Sequence, residues 1–415
     1  MRIPALASLA LAALMVLSAC TATDAERNAP PILPVTTPPV PERPTAENFT
    51  PVVAEVLAPP LVVPATDGLT HLAYELVLSN VLGQSVAIES VTVHGNADAG
   101  VNDEILLQLS GDALTPWMRP LGASAAGRVL APGQQAIVTL DVTVDSLAAV
   151  PEFLSHEIEL SPEAAMPPIV QKPMTESVAV TAVSASTPIV IGSPVRGRGW
   201  FDANGCCAVT PHRGAINPIN GSLHAPERFA IDFVQLDADG RIFNGEIDDI
   251  GSYAFYGADI VAVGDGPIVS MEWNLPEEPP GANPTGLALS EYGGNHIVQD
   301  LGDGNYAFYA HLQGGNPEKL RAGQQLSRGQ RIGALGNSGN SDMPHLHFHV
   351  MDSPLPLASN GLPFLIDSFT LAGTVTSDNI SACSTASVSC KATSSARRAI
   401  TAESPLYGDV IDVRD

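Results

Sequence analysis

Apolar and polar side chains alternate along much of the chain, and this period of two predicts β-strands. The even positions of residues 72–78 and of residues 138–144 are apolar. Successive side chains of a strand point to opposite faces, so each such strand buries one face and exposes the other. The 36 glycines and 36 prolines supply frequent turns between strands. The sequence therefore predicts an all-β protein.

Residues 52–180 contain short alternating runs that are separated by clusters of turn-forming residues. Regular succession of this kind predicts an antiparallel β-sandwich of immunoglobulin-like type. The histidines in this region are isolated from one another and form no reactive constellation. We therefore expect a spacer or interaction domain, followed by a Ser/Thr/Pro-rich linker at residues 181–194.

Residues 345–350 read His-Leu-His-Phe-His-Val, the most informative alternation in the chain. As a strand, this stretch places the three histidines on one face, about 6.5–7 Å apart, and the three apolar side chains toward the core. Histidine is the commonest metal ligand and general acid or base, so the pattern predicts a metal or catalytic site. The alternative is a polar strand face that is merely rich in histidine.

Residues 195–371 are predicted to form a second β domain, which contains seven of the ten histidines. Its predicted strands span residues 228–236, 259–263, 268–273, 296–301, 306–311, 331–335 and 346–351. The turn Gly302-Asp303-Gly304-Asn305 predicts a hairpin. Two long loops, 237–257 and 274–294, are expected to border a site. Residues 372–415 are Ser/Thr/Ala-rich, and we expect a mobile C-terminal extension that adds one edge strand.

The net charge of the 415-residue chain is -25, from 19 basic and 44 acidic residues. Binding to phosphate-rich surfaces requires clustered Lys and Arg. The charge balance therefore argues against nucleic acid and against an anionic membrane surface as partners.

The N-terminus has the features of an export signal: Met1-Arg2, then an uncharged, mostly apolar segment. Residues 1–20 end in Leu-Ser-Ala-Cys, which resembles the bacterial lipobox and implies lipidation of Cys20. The alternative is an ordinary secretory signal cleaved nearby. The Pro-rich residues 21–51 would be a tether. We expect a lipoprotein held at the membrane by its lipid alone, on the periplasmic face of the outer membrane.

Four further cysteines, Cys206, Cys207, Cys383 and Cys390, would then lie in an oxidising compartment. The short loop from Cys383 to Cys390 is the easiest to close. Adjacent cysteines rarely bond each other, because a disulfide requires Cα atoms farther apart than one peptide normally permits. The spacing is not that of a metal site, so we expect these cysteines to be structural or free.

The second domain contains, in order, the motifs that identify a family. These are Arg228-Phe-Ala-Ile-Asp232-Phe, Gly294-Asn-His-Ile-Val, Tyr309-Ala-His311-Leu, Gly336-Asn-Ser-Gly and Pro344-His-Leu-His-Phe. This series resembles the lysostaphin-type (LytM-like) zinc metalloendopeptidases, which cleave peptides of bacterial peptidoglycan. The resemblance covers about residues 197–369 and implies a lysostaphin-like antiparallel β-sheet peptidase domain.

Carried over onto this sequence, the resemblance implies that Asp232 and His347 are metal ligands. It implies that His345 and His311 are the catalytic histidines beside a Zn²⁺ ion. A carboxylate and neutral imidazoles would leave one tetrahedral position open for water or substrate.

Arg228 occupies the position four before Asp232, where the family has its first zinc-binding histidine. A guanidinium has no free lone pair and cannot bind zinc. Three explanations stay open. His212 or His224 supplies the missing ligand; Arg228 pairs with Asp232 in a site without metal; or zinc is held weakly while Arg228 binds a substrate carboxylate.

The leading hypothesis is a lipid-anchored cell-envelope zinc metalloendopeptidase that hydrolyses peptidoglycan peptides through a zinc-activated water. The alternative is a degenerate, non-catalytic domain that binds peptidoglycan or regulates a partner cell-wall hydrolase.

Overall fold

The computed structural model describes residues 47–96, 104–282, 284–393 and 397–414, and these are mostly β-strand. The predicted all-β class is confirmed. The predicted signal segment with Cys20, and nearly all of the tether, lie outside the described residues. Neither α-helix in the described ranges, α1 (Gly111–Leu114) or α2 (Ser377–Thr385), has the length of an apolar membrane span.

Between residues 52 and 182, the part of the chain that the structure describes forms ten strands. They are β1 (Val52–Val56), β2 (Leu61–Pro64), β3 (Thr70–Asn80), β4 (Val86–Asn96), β5 (Glu104–Ser110), β6 (Met118–Pro120), β7 (Val129–Leu130), β8 (Gln135–Val144), β9 (Phe153–Pro162) and β10 (Met174–Ala182). One sheet has the order β1-β3-β8-β6, with β2 also on β3. The other has the order β10-β9-β4-β5, with β7 also on β4.

The two sheets pack face to face around one apolar core. Leu72, Leu76 and Leu78 of β3 are fully buried there, together with Val91 of β4 and Ile158 of β9. The apolar positions predicted in β3 and β8 are thus buried, and the two sheets form a sandwich. The other face of β3 is not exposed as predicted, since Ala73 and Glu75 are fully buried. Its immunoglobulin-like type stays a prediction.

Seventeen strands follow within the described residues. They are β11 (Ile189–Ile191), β12 (Gly197–Ala203), β13 (Asn217–Ile219), β14 (Ser222–His224), β15 (Ile231–Gln235), β16 (Asp259–Val261), β17 (Gly266–Glu272), β18 (Asn295–Gly302), β19 (Asn305–Leu312), β20 (Gln325–Leu326), β21 (Arg331–Ala334), β22 (Leu346–Met351), β23 (Gly361–Leu362), β24 (Phe364–Ile366), β25 (Phe369–Thr374), β26 (Arg398–Ile400) and β27 (Asp409–Val413).

A large antiparallel sheet organises this second domain, with the order β20-β17-β18-β19-β22-β15-β12-β27-β25-β26. The histidine-rich strand β22 lies at its centre, between β19 and β15. Leu346, Phe348 and Val350 of β22 enter the core as predicted. The sheet therefore presents the other face of β22 to the candidate site.

The predicted hairpin between β18 and β19 is confirmed. Gly302 pairs with Asn305, and the two residues between them, Asp303 and Gly304, both have positive φ, 53° and 77°. Two consecutive residues with positive φ are typical of the type I′ turn, whose twist matches that of paired strands.

The strand predicted for residues 228–236 is shorter than expected. Residues 226–229 form a turn, in which the N–H of Ala230 donates to the carbonyl of Glu227 at 3.0 Å, and β15 begins only at Ile231. Arg228 therefore lies outside the strand, and the rule that places every second side chain on the same face does not relate it to Asp232. The two side chains point to different parts of the molecule.

Two expectations about the C-terminal region and the cysteines are corrected. Strand β27 lies inside the sheet, between β12 and β25, so residues 372–415 complete the domain instead of only extending it, and β26 is the predicted edge strand. Cys383 and Cys390 form the expected disulfide. Cys206 and Cys207 also bond each other, contrary to the expectation, and the peptide between them is cis.

Candidate metal and catalytic site

Asp232 and His347 face each other across paired strands at the centre of the large sheet. They are register partners of β15 and β22, and His347 Nδ1 lies 3.0 Å from Asp232 Oδ1. His345, just before β22, brings its Nε2 within 3.4 Å of the same oxygen. The alternation of the His345–Val350 stretch thus delivers its first two histidines to one carboxylate.

His212 is the third imidazole at Asp232. It comes from the short 3₁₀ turn His212–Gly214, and its Nε2 lies 3.2 Å from Asp232 Oδ2. Its Nδ1 lies 3.1 Å from the carbonyl of Ala230, so Nδ1–H donates there and Nε2 is the atom that can bind a metal once it has lost its proton. His224, the other histidine considered for this position, does not line the cavity.

His212, Asp232 and His347 together fit a zinc site. Their ligand atoms lie within 4.8 Å of one another, and all three residues are buried. In tetrahedral zinc with ligands at about 2.0–2.1 Å, neighbouring ligand atoms are separated by about 3.4 Å. His212 Nε2 lies 3.2 Å from Asp232 Oδ2 and His347 Nδ1 lies 3.0 Å from Oδ1, so each imidazole lies close enough to share a metal with this carboxylate. His311, His345 and His347 form a second set within the same limit, and His347 belongs to both.

His311 lies beside His345, with ring centroids 4.7 Å apart. Its φ is +59°, a left-handed conformation that is strained for a residue with a side chain and is frequent at functional sites. Its Nδ1 lies 2.8 Å from the carbonyl of Ser338, which leaves the Nε2 lone pair free. Ser338 belongs to the Gly336-Asn-Ser-Gly339 motif.

The glycines of this motif are required by close backbone contacts. A Cβ on Gly336 would lie 2.9 Å from the carbonyl oxygen of His311, and one on Gly339 would lie 2.2 Å from the backbone nitrogen of Gly294. The two glycines therefore allow the motif to lie directly against the neighbouring backbone. This places the carbonyl of Ser338 where it contacts the ring of His311.

Opposite charges set the protonation of the site. Burial alone would raise the pKa of Asp232, but the neighbouring His212 and His345 hold it well below its usual range. Burial alone would lower the pKa of His212, but Asp232 raises it to about 9. Since a metal ligand must be deprotonated, metal binding at His212 would release a proton at neutral pH. Burial, with charge on His345 and His347, lowers the pKa of His311 and favours its neutral form.

The site opens into a cavity of about 950 Å³. The loop predicted at 274–294 borders it, through residues that include Pro284, Leu289 and Tyr292, whereas residues 237–257 do not line it. His349 and His296 also line the cavity, and both rings pack on Phe308, with centroids 5.1 and 5.4 Å away.

Arg228 does not belong to this cavity, which corrects both roles considered for it. Its side chain is buried and donates from Nε to both oxygens of Glu75, at 3.0 and 2.8 Å, and from Nη2 to one of them. Glu75 belongs to strand β3 of the sandwich. Arg228 is therefore neither the partner of Asp232 nor placed to bind a substrate carboxylate.

Two contacts of the site were not predicted. Asn204 Nδ2 donates to Asp232 Oδ2 at 2.9 Å, and His349 Nδ1 lies 2.9 Å from His347 Nε2. The alternation placed His349 on the correct face but gave it no role. Asn204 lies after β12 in a loop with no repeating pattern, so nothing in the sequence distinguished it.

Comparison with known proteins points to one family. Residues 249–359 match the model of peptidase family M23. A stretch of 78 residues is 36% identical to peptidoglycan DD-endopeptidase ShyA of Vibrio cholerae serotype O1, and it spans 17% of this chain and 17% of that protein. Residues 249–359 are therefore similar to family M23, and the chain spans only a small part of the curated relative that it matches. The family match includes His311, His345 and His347 but begins after Asp232.

Solved structures of similar type include the catalytic domain of lysostaphin from Staphylococcus simulans. It is 22% identical, covers 40% of this chain and 88% of that chain, and has a TM-score of 0.22. A zinc-containing peptidase from Vibrio cholerae is 14% identical, covers 68% of this chain and 77% of that chain, and has a TM-score of 0.21.

Proposed function

We propose that this chain is a zinc-dependent endopeptidase that hydrolyses peptide bonds of peptidoglycan. The observation that carries the proposal is the convergence of His212, Asp232 and His347 next to His345 and His311 in one buried, open-mouthed site. The similarity to family M23 and to a peptidoglycan DD-endopeptidase supports the substrate class.

His212, Asp232 and His347 would hold the metal through Nε2, a carboxylate oxygen and Nδ1, respectively. Zinc in this position supplies a Lewis acid for the peptide carbonyl and lowers the pKa of water to about 7. We assign the metal to this set because it includes a carboxylate that is ionised at neutral pH. His311 and His345 then stay free for proton transfer.

His345 and His311 would handle the protons. The Nδ1 of His345 lies 2.8 Å from the carbonyl of Met343, as the Nδ1 of His311 does from Ser338, so each Nε2 is available as an acceptor. Water attacks the peptide carbonyl carbon, and one imidazole accepts its proton at Nε2. The C–N bond then breaks as that proton passes to the leaving amine.

The rim of the cavity offers apolar contacts to a peptide. Leu289 and Leu355 line it and are 64% and 55% exposed, although large apolar side chains are normally more buried. We propose that these side chains contact the peptide on either side of the cleaved bond.

We further propose that Cys20 carries a lipid that holds the protein at the periplasmic face of the outer membrane. The lipobox-like Leu17-Ser18-Ala19-Cys20 and the Pro-rich tether support this proposal. Replacing Cys20 with Ala should move the protein from the membrane fraction to the soluble fraction. Retention of the Ala variant in membranes would contradict the lipid anchor.

The central experiment measures bound zinc and the release of peptide from purified sacculi. We expect about one zinc per chain and cleavage by the wild type, loss of both in His347→Ala, and neither loss in the control His224→Ala. A folded wild type with no zinc and no cleavage would overturn the proposal. It would favour the non-catalytic binding or regulatory module considered from the sequence.

A second measurement distinguishes the two possible ligand sets. If the metal lies at Asp232, His212→Ala lowers zinc affinity, whereas His311→Ala lowers cleavage and leaves zinc bound. The opposite pattern would assign the metal to His311, His345 and His347.

A further inference from the structure

A buried cluster of three charged side chains lies where the sandwich meets the second domain. Glu75, Arg213 and Arg228 each have side chains no more than 1% exposed. Arg228 contacts both oxygens of Glu75, and Arg213 Nη2 lies 3.7 Å from Glu75 Oε1. Arg213 also donates to the carbonyls of Tyr74 and Leu140, at 3.3 and 3.0 Å. Strand β3 thus contacts both arginines, and β8 contacts Arg213 as well.

The two arginines are adjacent, along the chain, to two of the metal-ligand candidates. Arg213 directly follows His212 in the turn His212–Gly214, and Arg228 lies four residues before Asp232. One carboxylate of the sandwich therefore fixes both chain segments that converge on the metal position.

An apolar contact anchors the same loop at a second point. Cys206, Cys207 and Phe229 pack with Leu61, Val63 and Ala73 in one buried cluster. The first three belong to the second domain and the last three to strands β2 and β3 of the sandwich. The loop that carries His212 thus contacts the sandwich before His212, through Cys206 and Cys207, and directly after it, through Arg213.

This anchoring matters because His212 does not lie on a strand of the large sheet. Fixing the backbone of a loop costs conformational entropy, so a ligand in a free loop would be poorly placed for metal binding. A buried ion pair adds little net stability, since desolvation offsets the attraction. Arg213 does, however, donate from Nη2 to two carbonyls of the sandwich beside the Glu75 carboxylate, and these contacts fix the position of the turn that carries His212.

We propose that Glu75 and Arg213 are positioning residues for His212, so that the sandwich completes the metal site of the second domain. This inference rests on the proposed zinc site. It assigns to the N-terminal domain a role in assembling that site, where the sequence suggested only a spacer.

The test compares the zinc affinity of full-chain variants by competition with a chromophoric chelator. Arg213→Met removes the side chain next to His212 but leaves Glu75 and Arg228 as a balanced pair, so folding should be preserved. We expect its zinc dissociation constant to rise about 10-fold or more, as for other groups that orient a metal ligand. Arg213→Lys should recover part of this loss.

Glu75→Gln should weaken zinc binding in the same way. Its matched control is Glu176→Gln, which neutralises another buried carboxylate of the sandwich, on β10, and should leave zinc binding unchanged. Because Glu75→Gln leaves two buried arginines without a counter-ion, this variant can fail to fold. Arg213→Met then decides the question alone.

A spectroscopic readout separates positioning from general destabilisation. With cobalt(II) in place of zinc, the visible absorption of folded Arg213→Met should match that of His212→Ala and differ from that of the wild type, because both would lose the same ligand. Wild-type affinity and an unchanged cobalt spectrum in folded Arg213→Met would overturn this inference and leave the proposed function intact. Absence of zinc binding in the wild type itself would overturn both.

Discussion

Replacing His349 with Phe should weaken zinc binding without disturbing the fold. His349 Nδ1 lies 2.9 Å from His347 Nε2, and His349 is 1% exposed. When His347 gives the lone pair of Nδ1 to the metal, its proton must lie on Nε2, and His349 Nδ1 accepts it. Phenylalanine keeps the ring that packs on Phe308 but removes that acceptor.

The expected magnitude follows from one buried N–H left without a partner, which costs about 1–3 kcal/mol. In the metal-free protein His347 can donate Nδ1–H to Asp232, 3.0 Å away, so the cost falls on the metal-bound state. The zinc dissociation constant should therefore rise about 10-fold to 100-fold, which corresponds to about 1.4–2.8 kcal/mol.

The matched control is His296→Phe. The ring of His296 also packs on Phe308, but its Nδ1 lies 2.7 Å from the carbonyl of Gly294, and no contact links it to His347. Chelator competition at constant pH measures both variants, and thermal unfolding without metal verifies that each is folded. Equal affinities of His349→Phe and His296→Phe would refute the assigned proton on His347 Nε2.

Three further predictions concern catalysis, pH and packing. His345→Ala should lower peptide release about 10²–10⁴-fold while zinc stays bound, and loss of zinc would instead make His345 a ligand. Burial lowers the pKa of His156 to about 4, below its ordinary 6.5, so the folded sandwich binds fewer protons between these values. Stability should then fall by about 3 kcal/mol as the pH drops from 6.5 to 4. Denaturant unfolding across this range should show a smaller decline in His156→Gln, and an equal decline would contradict the argument. Phe348→Ala should lower the free energy of unfolding by about 3–5 kcal/mol, since the ring is fully buried. A decrease in the free energy of unfolding below about 1 kcal/mol would contradict this expectation, because it would mean that neighbouring side chains move into the space left by the ring.

Periodicity in the sequence was sufficient to predict the strands that carry most of the site. The alternation of residues 345–350 placed three histidines on one face, and the register then set His347 opposite Asp232. The alternation of side chains along a strand depends only on local backbone geometry, so it can be predicted from one sequence without knowledge of distant contacts. The hairpin at residues 302–305 was predictable for the same reason.

The sequence left the third imidazole undecided between His212 and His224, and the direction of Arg228 was not predictable. Both depend on contacts between distant parts of the chain. His212 lies in a loop whose anchor is the sandwich, and Arg228 is directed by Glu75, which is 153 residues away in the sequence. The motif comparison assumed that a residue four before Asp232 faces the metal. The turn at residues 226–229 removes that constraint, so Arg228 is buried against the other domain.

The position of strand β27 has a consequence for when the protein becomes competent to act. Its partners β12 and β25 cannot be joined until residues 409–413 have been synthesised, and β12 is the direct neighbour of the strand that carries Asp232. Pairing of segments so far apart in the chain is slow, because a long loop must close first. We therefore expect the proposed metal site to form late in folding, only after the C-terminal strand has paired.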